Sequence, residues 1–126
     1  MTRSIDLAGI DDAIHSPVRL AIMALLVGGD ELEFTLLRER LALTDGNLAT
    51  HLRKLEERGY VQCTKSFVDR RPRTAYRVLP RGRTAFERHV AALEHVVSGG
   101  AKGLGPQQKP NRSTRRKGAI DGTPKS

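Results

Sequence analysis

The stretch that most constrains the fold is TDGNLATHLRKLEERGYV, residues 44–61. Its leucines recur at the spacing i, i+4, i+7, and they are Leu48, Leu52 and Leu55. That spacing predicts an amphipathic helix with one narrow apolar stripe, capped by Thr44 at its start and by Gly59 in a left-handed conformation at its end. The Asp45-Gly46 pair is typical of a hairpin turn between strands, but in this context it is predicted to begin a helix.

Two further helices are predicted upstream of this segment. In HSPVRLAIMALLVGGD, Ser16 is the expected N-cap, Pro17 fits the first helical position, and the glycines at 28–29 end the helix. The stretch EFTLLRERLAL predicts a short second helix capped by Thr35. Only residues 43–46 separate it from the periodic leucines of the next segment, and two helices joined by so short a turn with a glycine form a helix-turn-helix.

The remaining segments predict a hairpin and two terminal helices. Residues 61–67 and 74–79 alternate as strands around a turn at 68–73, and this hairpin is the only sheet that the sequence predicts. A last helix is predicted over 80–97, ended by the glycines that follow it, and a shorter one over 5–14. The order of elements predicts a mainly α fold with a small β-hairpin (α+β), a winged helix-turn-helix with an additional C-terminal helix.

Charge is distributed unevenly along the chain, whose formal net charge is +8 at pH 7. Residues 1–43 are net acidic, residues 44–77 are net basic, and residues 98–126 carry most of the positive excess. A basic chain of this kind favours a polyanionic partner, nucleic acid first and an anionic membrane second. Beyond residue 98 the composition shifts to polar, basic, Gly and Pro residues, which predicts a winged-helix domain at 1–97 and a disordered basic tail at 98–126.

The sequence lacks the features of several other classes of protein. Its single cysteine, Cys63, excludes an internal disulfide and a cysteine-cluster zinc site, and it is expected to be a small buried hydrophobe. No signal peptide or membrane span is visible, so a soluble, cytoplasmic protein is expected. No nucleophile-base pair, phosphate loop or carboxylate dyad is visible, so we expect neither an enzyme nor a cofactor. His89 and His95 are too far apart for an i, i+4 metal pair, and no metal site is predicted.

The outer face of the helix at 44–58 carries side chains that suit the major groove of DNA. Its candidate DNA-binding residues are Thr44, Gly46, Asn47, Thr50, His51, Arg53 and Lys54. Asn47 can pair with adenine and Thr50 can contact a base or a thymine methyl, while the two basic residues can reach guanine or phosphate. Gly46 presents no side chain where the DNA backbone could approach, and free backbone N–H groups there could bind a phosphate.

The turn of the hairpin, DRRPRT, concentrates three arginines within four residues. They are Arg70, Arg71 and Arg73, and Pro72 is expected to stiffen the tip. Guanidinium groups bind phosphate in pairs of hydrogen bonds and can enter a narrow minor groove, so this wing is predicted to contact DNA. Lys65 and Arg77 lie on the strands and could simply face water.

Three stretches of the chain resemble a known family. IHSPVRLAIMALL, LTDGNLATHLRKLEERGYV and RRPRTAYRVLPRGRTAF are similar to the small single-domain winged-helix transcriptional regulators related to the MarR and ArsR types, over residues 10–97. The resemblance implies a dimeric DNA-binding regulator whose third core helix enters the major groove and whose hairpin lies over the backbone. The cysteine pair of ArsR-type metal sensors has no counterpart in TDGNLATHLRKL.

We therefore expect a homodimeric, sequence-specific transcriptional regulator, more in keeping with a repressor, that binds a roughly palindromic site in double-stranded DNA. The dimer interface is expected on the N-terminal helix at 5–14 and on the last helix, because the last helix has an apolar stripe larger than a small core needs. This stripe consists of Phe86, Val90, Leu93 and Val97. Two alternatives stay open: a winged-helix module for protein contacts, and a ligand-responsive regulator whose small-molecule effector the sequence does not identify.

Overall fold

A computed structural model describes residues 5–102, with side chains described for residues 5–100. Of the described residues, 5–96 form one compact unit, and those from Val97 on belong to a second unit. The elements are α1 (Pro17–Gly28), β1 (Leu32–Glu33), α2 (Phe34–Leu41), α3 (Asp45–Glu57), β2 (Val61–Val68), β3 (Arg71–Val78) and α4 (Pro80–Lys102). This order confirms the predicted α+β winged helix-turn-helix. The predicted tail lies, from residue 103 on, outside the described residues.

The predicted ends of α1 and α3 are confirmed by their hydrogen bonds. The Ser16 hydroxyl accepts from the backbone N–H of Arg19 at the start of α1, and Gly29 follows its last residue. The Thr44 hydroxyl accepts from the backbone N–H of Asn47 over 3.1 Å, so residue 45 does begin a helix. At the other end, Gly59 has φ +74°, a left-handed conformation that glycine adopts without strain.

The hairpin is part of a larger sheet than predicted. Residues 32–33 form a short strand, β1, that pairs antiparallel with Tyr76 and Ala75 of β3, which gives the strand order β1-β3-β2. Because the chain is extended up to Glu33, α2 begins at Phe34 and has no side-chain cap, so the predicted capping role of Thr35 is wrong. The pairing partner is more than 40 residues away in sequence, and no local pattern marks it.

The wing is longer and its turn tighter than predicted. β2 and β3 pair continuously from Val61 opposite Val78 to Val68 opposite Arg71. Only Asp69 and Arg70 form the turn, and both have positive φ, +51° and +66°. This combination is that of a two-residue type I′ hairpin, in which Asn-Gly or Asp-Gly is the favoured pair.

The N-terminal segment is not the helix that we predicted over 5–14. It follows an irregular path, because Gly9 has φ +101° and the Asp11 carboxylate accepts from the backbone N–H groups of Ala13 and Ile14 in a local turn. The same carboxylate accepts a hydrogen bond from the hydroxyl of Tyr60. Asp11 therefore ties this segment to the end of the helix-turn-helix.

The last helix is longer than predicted. It continues through Gly99 and Gly100 to Lys102, so the expectation that these glycines end it is wrong. Glycine lowers helix stability by only about 1 kcal/mol per residue, which a long helix tolerates. No helix among the described residues is long and apolar enough to cross a membrane. Within the same residues, no group of three His, Cys, Asp or Glu side chains is placed to hold a metal ion.

The three leucines of α3 are buried, as their spacing predicted, in a core that α1, α2 and the N-terminal segment complete. The fully buried side chains include Ile14, Ile22, Met23, Leu26, Leu37, Leu48, Leu52, Leu55 and His89. Cys63 is half-buried beside them, in partial agreement with the expected role. His89 is the polar exception. Its Nδ1 accepts from the backbone N–H of Asp11, and its Nε2 has no partner within the described structure.

Burial of His89 predicts a loss of stability in mild acid. Desolvation, reinforced by the nearby His15, lowers the pKa of His89 below its ordinary value of 6.5. As the pH falls, the unfolded chain is therefore protonated at this histidine before the folded chain is. The contribution of neutral His89 to the free energy of unfolding is complete above about pH 6.5 and is lost as the pH falls below that value. Urea unfolding between pH 7.5 and 5 measures the slope.

The matched variant is His89→Asn, whose side-chain oxygen can replace Nδ1 as an acceptor. In this variant we expect the free energy of unfolding to depend less steeply on pH than in the wild type. Some dependence should remain, because the pKa of His51 is lowered as well. An unchanged slope would show that His89 is not responsible.

Candidate nucleic-acid interface

The third helix turns its apolar stripe inward and its candidate residues outward. Its three leucines are fully buried, as the spacing predicted. The exposed candidates are Thr44, Gly46, Asn47, Thr50, Arg53 and Lys54. A β-carbon added at Gly46 would meet no atom within 4 Å, so packing within the chain does not require a glycine there. These six exposed residues form the α3 face.

The first turn of α3 has its charges and donors arranged by neighbouring groups. Asp45 accepts a hydrogen bond of 2.8 Å from the Arg38 guanidinium of α2, which raises the pKa of Arg38. The carboxylate at the edge of the α3 face is thus paired with a cation and repels a polyanion less. The Thr50 hydroxyl donates to the carbonyl of Gly46 over 2.9 Å, so its oxygen remains available as an acceptor.

His51 differs from the other candidates on this helix. It is half-buried, and its Nδ1 lies 3.0 Å from Nη1 of Arg19 in α1. Arg19 also donates from Nε to the carbonyl of Ala13, so one guanidinium connects the N-terminal segment, α1 and α3. Partial burial, and then the charges of Arg19 and Lys54, lower the pKa of His51. A neutral imidazole bound in this way fixes α3 against α1.

The structure separates the three wing arginines. Arg70 and Arg71 are exposed at and beside the turn. Arg73 points back to the start of the sheet, where it lies 3.1 Å from Glu31 and 3.1 Å from Glu33, and these hydrogen bonds raise its pKa. Pro72 lies in β3 rather than at the tip. Arg73 is thereby bound within the protein, whereas the other two are presented to solvent.

Sequence reasoning missed the residues that support these surfaces. No sequence motif marks Arg19 or Arg38, and the one signal for Arg38 is its place on the helix just before the turn. Glu31 could not be paired with Arg73 before the strand at 32–33 was known. Arg19 and Glu31 contact side chains that are distant in sequence, His51 and Arg73 respectively. Arg38 contacts Asp45, which is seven residues away.

Residues 18–97 match a family described as winged helix DNA-binding domain, and the match spans more than half of the chain. The chain belongs to this family. The predicted winged-helix identity and DNA as a partner are therefore confirmed, whereas the MarR and ArsR types are not specifically indicated.

Three known proteins illustrate what this chain is similar to in sequence and structure. An uncharacterized protein of Methanocaldococcus jannaschii is 46% identical over 76 residues, which cover 60% of this chain and 83% of that protein. The structure of a transcriptional regulator homologue from Pyrococcus horikoshii OT3 is 36% identical with a TM-score of 0.66, covering 69% of this chain and 86% of that one. The transcriptional regulator BldR from Sulfolobus solfataricus shares the fold at 21% identity, with a TM-score of 0.59 over 69% of this chain and 61% of its own. Family and neighbours together support a DNA-binding transcriptional regulator.

Proposed function

We propose that this winged-helix protein is a sequence-specific transcriptional repressor that binds double-stranded DNA as a homodimer. The observation that carries the proposal is the α3 face, where a capped helix start presents uncharged hydrogen-bonding groups followed by two exposed cations. Repression is the proposed mode because occupancy of a site near a promoter is sufficient for it. DNA as the partner makes the cytoplasm the proposed location, and binding without catalysis is the proposed activity.

Each residue of the α3 face has a distinct proposed role. Asn47 reads an adenine through its amide, and Thr50 accepts from a base or contacts a thymine methyl. Arg53 and Lys54 reach guanine or phosphate further along the groove. Gly46 allows a phosphate to approach the first helical N–H groups. Thr44 is proposed to act chiefly through its cap and His51 through its link to α1, although both border the same surface.

The proposed dimer uses the outer side of α4. Val90 and Leu93 are half-buried hydrophobic residues of this helix, whereas Phe86 packs on the core. The N-terminal segment already covers another side of α4, where the backbone N–H of Asp6 lies 3.4 Å from Nε2 of His95. Two-fold symmetry would place two α3 helices in successive major grooves about 34 Å apart. Sedimentation of only monomer at micromolar concentration would contradict the dimer.

A substitution of Arg70, the arginine in the turn, tests the backbone conformation of the wing and its charge by two separate measurements. A non-glycine residue at φ +66°, such as Arg70, is strained by about 1–2 kcal/mol. We expect Arg70→Gly to raise the free energy of unfolding by about 1 kcal/mol. The same change should weaken binding to all DNA sequences and make the dependence of log K on log salt shallower by about one phosphate contact. Thermal unfolding and fluorescence anisotropy at several salt concentrations measure the two effects.

Arg73→Ala is the matched control for that variant, since the guanidinium of Arg73 is engaged by two glutamates. We expect it to change the salt dependence less than Arg70→Gly does. Equal salt dependence in wild type and Arg70→Gly would show that the wing does not contact phosphate.

The basic tail, of which residues 103–126 follow α4, is proposed to add affinity for DNA without specificity. Residues 103–126 contain six Lys or Arg and one Asp. Neutralisation of phosphates by such a segment is independent of sequence and strongest at low salt. Removal of these residues should lower affinity at low salt and leave site preference intact.

Selection of bound sequences from a random pool of DNA duplexes, repeated at two salt concentrations, tests the function directly. A two-fold symmetric consensus recovered at both concentrations is the expected result, and it would report specificity and dimer geometry together. If the DNA bound by the full chain shows no enriched sequence at either concentration, the proposal is overturned and a winged-helix module for protein contacts is favoured.

A further inference from the structure

The tip of the wing carries an exposed apolar group. Phe67 is 75% exposed and the adjacent Val68 is 51% exposed. The other two phenylalanines, Phe34 and Phe86, both pack against the core. A phenylalanine left in water forgoes the stabilisation that burial of its apolar area would provide. An aromatic side chain at this place therefore points to a partner that covers it.

The register of the hairpin sets which way Phe67 faces. It lies opposite Pro72, so the two rings share one face of the ribbon. Side chains alternate along a strand, which puts Phe67 on the same face as Val61, and Val61 is buried in the core beside α3. At about 3.3 Å per residue the six steps from Val61 to Phe67 span roughly 20 Å. Half a turn of DNA is about 17 Å. With α3 in a major groove, Phe67 is thus within reach of the neighbouring minor groove.

The charges around Phe67 indicate the chemistry of the partner. Arg70 and Arg71 follow it within four residues and are exposed. Neither has a carboxylate within 4.0 Å in the described part of the chain. Asp69 is the single acidic residue of the turn. Arg70 lies in the turn, and Arg71 lies opposite Val68 on the other face of the ribbon from Phe67. A wing tip with an apolar ring on one face and unpaired cations in the turn and on the other face matches a minor groove, whose sugar walls are apolar and whose potential is negative.

We propose that Phe67, backed by Pro72, is a wedge that enters the minor groove and partly unstacks one base step, so that binding kinks the DNA. This inference rests on the proposed DNA-binding function and adds to it a deformation of the target. Apolar side chains inserted in this way kink a duplex by about 20–90° toward the major groove. A second copy of the chain is a poorer occupant, because a two-fold contact at this tip would bring like charges together.

The test measures the bend of an end-labelled duplex that carries the selected site, by energy transfer between its two labels. Wild-type protein should increase transfer, and 2-aminopurine at the kinked step should brighten as it unstacks. Phe67→Ala should return both signals to those of unbent DNA while it preserves the base preference set by α3. Phe67→Leu should retain the bend, because leucine can also act as a wedge.

Val68→Ala is the matched control, since this residue is exposed beside Phe67 but faces the opposite side of the ribbon. Bending that persists in Phe67→Ala, or wild-type binding without bending, would overturn the wedge and leave DNA binding intact. A change in the sedimentation of DNA-free Phe67→Ala would also overturn it, because the partner would then be a second copy. Failure of the wild type to select any sequence would refute the proposed function itself.

Discussion

We expect Gly82→Ala to lower the free energy of unfolding by roughly 3 kcal/mol, one of the largest effects of a small substitution in this protein. Gly82 lies in the first turn of α4 and is buried. A β-carbon there would stand 2.2 Å from the carbonyl oxygen of Tyr60 and 2.8 Å from its carbonyl carbon. These are rigid backbone atoms, and the same oxygen accepts a 2.8 Å hydrogen bond from the N–H of Leu79. The helix would have to move away from the sheet.

Thermal and urea unfolding measure this loss, which corresponds to a fall in Tm of about 10–20 °C for a domain of this size. Gly28→Ala is the matched control, because a β-carbon at the end of α1 meets nothing within 4 Å. That substitution should leave stability unchanged or raise it by up to about 1 kcal/mol. Similar stability of the two variants would contradict the close contact between α4 and Tyr60.

We expect Asn47→Ala to remove discrimination at one base pair of each half-site, by about 1–3 kcal/mol or roughly 10–100-fold. The substitution should not harm folding, because Thr44 caps the helix through the backbone N–H of residue 47 and alanine favours a helix. Competition binding with duplexes altered at single positions measures the effect. Affinity for non-specific DNA should remain nearly unchanged, in contrast to the effect expected of Arg70→Gly.

Glu57→Gln provides the comparison for this variant, at the exposed C-terminal end of the same helix. It should leave the base preference unaltered. If Asn47→Ala and wild type rank all altered duplexes alike, Asn47 does not read a base, and the register of α3 in the groove must differ from the proposed one.

Local pattern was sufficient for the helices of the DNA-binding motif. Helical spacing of three leucines, a threonine cap and a terminal glycine each act within a few residues, so their outcome could be predicted without tertiary contacts. The same reasoning failed at the N-terminus, where the apolar spacing predicted a helix. There the Asp11 carboxylate accepts hydrogen bonds from the backbone N–H groups of Ala13 and Ile14, and the segment forms a turn. It also failed at β1, a strand of two residues that exists only because β3 pairs with it.

Helical spacing and capping residues were enough to specify the winged helix-turn-helix and the polar outer surface of its third helix, because burial of regularly spaced leucines fixes which side chains face water. Which charged side chains of α3 and the wing are free of ion pairs depends instead on the tertiary structure. Arg73 is bound by two glutamates and Asp45 is neutralised by Arg38, whereas Arg70 and Arg71 stay exposed. Ion pairs form between side chains that the fold brings within 4 Å, and for pairs such as Arg73 and Glu31, 42 residues apart, position along the chain does not specify that distance.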